Sequence, residues 1–177
     1  MNKNKRGNDS EAFKINLLRA NLLTQITFGN FIPAKRTFSR LRLLDEKTAM
    51  DGVVAKLSRQ LVNQEDSRVD DAIVALDLPP VYVSAIACCA ASKKFDSGLP
   101  DIARGIIKKY WDHFKRDAES AANALYLLYK KGEAASADLL SRDNYSALVA
   151  AKIAIEKERR AAETPLIVGK PIYPLPK

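Results

Sequence analysis

The sequence predicts an all-α protein, and three observations predict it. Apolar residues recur at three- and four-residue spacing; Ala, Leu, Lys, Arg and Glu dominate while glycine is sparse; no alternating strand pattern persists beyond a few residues. With 177 residues, of which 47% are hydrophobic, the chain can bury one respectable core. The expected architecture is a compact bundle of about six to eight helices arranged as helical hairpins. It comprises a disordered basic arm over 1–8, a single helical domain over 9–163, and a proline-rich extended tail over 164–177.

The elements follow in order from their punctuation. Asp9 or Ser10 caps a first helix running to about Thr27, with Leu17, Leu18, Leu22 and Ile26 as its buried face. Gly29, Asn30 and Pro33 then break the chain, and a second helix is expected over 34–47. A third runs from about Ala49 to Val62. The acidic stretch from Asn63 begins a short helix that Pro79 and Pro80 close off. Val81 to Phe95 forms an apolar helix ended by Ser97 and Gly98, and Pro100 with Asp101 starts the next. Ala118 to Lys131 follows, closed by Gly132, and a last long helix spans about Asn144 to Ala162. "LYLLYKKGEAASADLL" resembles a tetratricopeptide-type repeat, but no fixed period recurs, so a bundle of hairpins is expected rather than a solenoid.

Charge is placed unevenly. The chain carries +8 overall, yet residues 1–44 hold nine bases against two acids, and the remainder contributes only +1. Glu65, Asp66, Asp70, Asp71 and Asp77 form a separate acidic segment. A positive end suits an anionic partner. No signal peptide or bilayer-length apolar run is visible, so a soluble, cytoplasmic protein with no membrane span is expected. Cys88 and Cys89 are adjacent and point apart on a helix, so no structural disulfide is expected, and two small core residues in a reducing compartment are.

The densest basic stretch is "FIPAKRTFSRLRLL", Phe31 to Leu44. At 100° per residue, Lys35, Arg36, Ser39, Arg40 and Arg42 fall in one arc of about 160°, while Ala34, Phe38, Leu41 and Leu44 lie opposite. Leu43 alone is on the wrong side. Like charges this close repel, and a polyanion relieves them. An amphipathic helix, a Gly-containing turn longer than the tight form, and a basic helix give the order of a helix-turn-helix unit. Lys35, Arg36, Thr37 and Arg40 are then placed to approach base edges. Lys14, Arg19 and the arm residues Lys3, Lys5 and Arg6 are placed to hold phosphates.

"TFSRLRLL", Thr37 to Leu44, resembles the "LSRxRL" segment in the helix-turn-helix of FlhC, a subunit of the flagellar master transcription activator. Cys88, Ala90, Gly98, Leu99, Ile107, Lys108 and Tyr110 in "CCAASKKFDSGLPDIARGIIKKY" are similar to an FlhC helical hairpin. The four zinc-binding cysteines of that family have no counterpart here, where "NYSALVAAKIAIEKERR" occupies the region. The resemblance implies a DNA-binding activator acting with a smaller FlhD-like subunit and recruiting RNA polymerase.

Ingredients for catalysis are few. His113 is the only histidine, and a lone histidine on an aromatic helix is the pattern of a packing or surface residue. Asp66, Asp70 and Asp71 lack the ligand spacing of a metal loop and read as capping and solvated acids. No phosphate-cradling loop, serine elbow or zinc signature occurs, so no enzyme, metal, cofactor or small-molecule substrate is expected. Tyr110, Trp111, Phe114, Tyr126 and Tyr129 read as core. The tail "TPLIVGKPIYPLPK" cannot be helical and offers either a PxxP peptide or an apolar strap.

Two function classes remain. The first is a nucleic-acid-binding protein, most concretely a DNA-binding transcription regulator on duplex DNA. The second is a non-enzymatic helical adaptor or accessory protein whose basic end binds an acidic protein or an anionic membrane surface.

Overall fold

Helix follows helix with almost no linker, because nearly every break in the apolar periodicity is a one- to three-residue turn. The computed structural model describes residues 3–163. Among them are ten α-helices, one 3-10 turn and no strand. They are α1 (Lys3–Thr27), α2 (Phe31–Leu44), α3 (Glu46–Val62), α4 (Asp66–Leu76), α5 (Pro80–Asp96), α6 (Pro100–Lys109), α7 (Trp111–Phe114), α8 (Ala118–Lys130), α9 (Ala134–Leu140) and α10 (Tyr145–Glu163), with the 3-10 turn at Ser141–Asp143 before α10. The tail over 164–177, with its strap and PxxP readings, lies outside the described residues.

Several boundaries differ from the sequence expectation. α1 begins at Lys3, so Lys3, Lys5 and Arg6 sit in its first turns rather than in a disordered arm. No proline interrupts this stretch, and Gly7 costs a helix only about 1 kcal/mol. The helix expected from Pro100 onward divides at Tyr110, and α9 was not anticipated at all. It is only seven residues long, too short for helical periodicity to be read.

α5 is the hub, packing on α3, α6, α7 and α8. Its contact with so many neighbours explains its composition: Val83, Ile86, Ala87, Ala90 and Ala91 are buried, and the alanines let adjacent helices approach closely. Phe114, Ile107, Leu125 and Leu128 complete the core on one side of α5, and Leu57, Leu61, Val53 and Val69 complete it on the other. Burying each such side chain stabilises the fold by about 1.5–3 kcal/mol. α10 packs on α8 and closes the far end. Cys88 is half-buried and Cys89 is exposed. The expectation that both are core therefore fails for Cys89, because α5 turns that one position outward between its neighbours.

Candidate nucleic-acid interface

α1, α2 and α3 pack on one another, and α2 also touches α4. The turn from α1 to α2 is tight. Gly29 takes φ +72°, a left-handed conformation that costs other residues about 1–2 kcal/mol. Gly29 N–H donates to the Ile26 carbonyl at 3.2 Å, and Asn30 N–H donates to the Gln25 carbonyl at 2.9 Å. This pair of bonds is a Schellman closure. Asn30 then leads straight into α2, so the connection is Phe28, Gly29 and Asn30 alone. Three residues including a glycine is a length shared by helix-turn-helix units and ordinary helical hairpins.

α2 begins three residues before the expected start at 34, which shortens the turn. Pro33 does not break the chain: it stands in the first turn of α2, where no intrahelical acceptor exists for an N–H and its absence is free. The other end closes as abruptly. Asp45 accepts from the Thr48 N–H at 2.9 Å and from its hydroxyl at 2.6 Å, capping α3 within one residue of the end of α2. These two bonds also hold the Asp45 carboxyl below its usual range.

α2 buries Ala34, Phe38 and Leu41. Lys35, Arg36, Ser39 and Arg40 are exposed together on the opposite side, and Leu43 is 88% exposed, as the wheel indicated. Among the described residues, no acid forms an ion pair with Lys35, Arg36 or Arg40. Arg42 differs: its Nη2 bonds Glu46 Oε1 at 2.8 Å, and its guanidinium lies 5.6 Å from the centre of the Phe38 ring. Ser39 Oγ donates to the Lys35 carbonyl at 3.0 Å, and Thr37 is half-buried. The first turn of α2 carries no acid, so the positive end of its dipole adds to the cations.

The α1 bases do not join this face as one group. Arg19 lies across α3, where a Cβ at Gly52 would sit 3.6 Å from its Nε. Lys14 is about 140° from Arg19 around α1. The side chains of Lys3, Lys5 and Arg6 are outside the described set. Sequence reasoning missed Phe28 and Ile32, which are exposed at the start of the basic face. The signal was available, since a proline is admissible in a first helical turn.

The other candidate cluster is built for packing. Asp70 on α4 accepts from Tyr110 Oη at 2.6 Å and from Lys109 Nζ at 2.8 Å, tying α4 to the end of α6. Burial and the adjacent Asp70 both push the Tyr110 phenol pKa up, which keeps it a donor. His113 is half-buried, and its pKa is lowered by burial and by Arg116. Burial pushes the Cys88 thiol up to about 12, away from nucleophilic reactivity. No metal-holding group of His, Cys, Asp or Glu, and no helix long and apolar enough to cross a membrane, occurs among the described residues.

No family model, curated protein or solved structure matches this chain.

Proposed function

We propose that this chain is a non-enzymatic nucleic-acid-binding protein, a DNA-binding regulator of the activator type in which α2 lies against duplex DNA. One observation carries the reading: Lys35, Arg36 and Arg40 stand exposed together on one helix face with no described acid paired to them. A protein surface that only needs solubility intersperses both signs. The tight turn into α2 admits a helix-turn-helix docking, with Arg36 and Arg40 presenting planar forks to guanine edges and Lys35 holding phosphate. The resemblance to FlhC segments adds a smaller partner subunit and RNA polymerase as the machinery such an activator engages.

Binding to random duplex DNA and to single-stranded RNA at rising salt tests this, repeated with Lys35, Arg36 and Arg40 all changed to alanine. The expected result is a steep linear loss of log affinity with log salt on duplex DNA, shallower by about three units in the variant. Equal binding by a folded variant rejects α2 as the interface. Arg36→Ala alone should cost about 1–3 kcal/mol on a cognate site if that residue reads a base.

A second reading rests on Phe28, Ile32 and Leu43, exposed apolar side chains beside the same cations. That combination suits an anionic membrane surface. Cosedimentation with phosphatidylserine vesicles that Leu43→Ser and Ile32→Ser abolish, without loss of DNA binding, would favour it.

A further inference from the structure

α1 is apolar on two sides. Its inner side, with Leu22 and Ile26 buried and Ile15 and Leu18 half-buried, faces α2 and α3. On the outer side Phe13, Leu17, Ala20, Thr24 and Phe28 fall within an arc of about 80° at 100° per residue. All five are exposed, Phe13 at 70%, Leu17 at 51% and Phe28 at 72%. Phe28 continues the helical path, since its N–H donates to the Thr24 carbonyl at 3.1 Å. This stripe holds no charge, although the residues up to 44 are the most basic part of the chain. Solvated helix faces carry charges, and uncharged aromatic ones are the mark of a covered face.

We propose that the outer face of α1 is a homodimer interface, with α1 of one copy packed antiparallel on α1 of a second. The arrangement of the stripe selects a second copy over an unrelated partner. Phe13 and Phe28 are equally far from the point between Ala20 and Asn21, and so are Leu17 and Thr24. A two-fold axis through that point sets each aromatic residue against the other's symmetry mate, Leu17 against Thr24, and small Ala20 at the crossing, where it permits close approach. Self-complementarity of this kind is what an isologous interface requires. Arg19 lies across α3, away from this face, and the same axis sets Lys14 opposite Thr27, so no base meets a base.

The area fits a modest affinity. At about 150–250 Å² for each aromatic side chain, the exposed parts of Phe13, Leu17 and Phe28 provide roughly 350–400 Å² per copy. That is about half of the ~800 Å² per partner of a standard interface, the remainder coming from the polar rim.

Sedimentation velocity of the full chain, nuclease-treated and from about 1 to 100 µM, tests the proposal without any nucleic acid. The expected result is a monomer–dimer equilibrium. Leu17→Lys should remove the dimer while leaving the helical circular dichroism unchanged, and the Tm unchanged at concentrations where the wild type is monomeric, since this side chain lies outside the core. Thr24→Glu added to Leu17→Lys should restore it, because the new lysine then faces the partner's new glutamate, whereas within one chain the two are about 10 Å apart. A chain that stays monomeric, or a dimer that survives Leu17→Lys, overturns the interface. Failure of the double variant to recover overturns the antiparallel pairing.

Discussion

The two ends of the molecule carry their cations in opposite ways. Around α8 to α10, five of the seven bases over 118–163 pair with an acid. Lys131 bonds Asp96 at 2.7 Å, Lys130 lies 3.5 Å from Glu158, Lys152 lies 3.8 Å from Asp138, and Glu156 holds both Arg159 and Arg160. The last two bring the Glu156 carboxyl down to about 2. On α2, only Arg42 is so compensated. The difference begins in the sequence: residues 118–163 hold seven bases and seven acids, whereas residues 1–44 hold nine bases against two acids. The fold then sets most of those acids beside bases at one end, and a face left without counter-charges is the one a polyanion can neutralise with least competition.

The sharpest way to break this contrast is to undock α2. Phe38 is the only large aromatic that α2 buries, and Phe38→Ala should lower stability by about 3–5 kcal/mol in urea unfolding. An unchanged midpoint would mean that α2 is held by something other than its inner face. The next largest effect is on binding. Lys130, Lys131 and Lys152 changed together to alanine should leave the salt slope on duplex DNA within error, while the matching α2 variant loses about three units of it. Equal losses would erase the distinction between compensated and uncompensated cations.

A smaller effect is expected where α4 meets α6. Tyr110→Phe removes the phenol donor to Asp70 and should cost about 1 kcal/mol, leaving the Asp70 bond to Lys109 in place. Thermal melts of this variant with and without Asp70→Asn would reveal whether the two side chains act as one unit. The smallest effect concerns His113. Its folded pKa lies below the ordinary 6.5, so above that pH it is neutral in both states. As pH falls below 6.5 the unfolded chain takes up the proton first, and stability declines until the folded value is passed. His113→Gln should flatten the pH dependence of Tm below about 6.5, and a parallel pair of curves would assign it elsewhere.

Much of the fold was legible because its signals are local. Gly29 and Asn30, the Pro79–Pro80 pair, Pro100, and Gly132 each mark a real break, since left-handed φ and a missing N–H act within a single turn. The basic arc on α2 was legible for the same reason: three residues on a helix share a face whatever surrounds it. α9 was not, being too short to establish a period. Nor was the start of α2, because a proline can break a helix or begin one, and only the chain beyond it decides.

Burial was the least legible property. Leu17 and Leu18 are neighbours of identical composition, yet Leu18 packs inward and Leu17 is exposed; Cys88 and Cys89 divide in the same way. The sequence by itself determined the helices, their breaks and the side of α2 on which the cations gather, since those follow from interactions spanning four residues or fewer. The tertiary structure decided which helix face is covered, which bases find an acid and which do not. Those outcomes depend on pairing surfaces from helices far apart along the chain, as when Asp70 meets Lys109, or Lys131 meets Asp96.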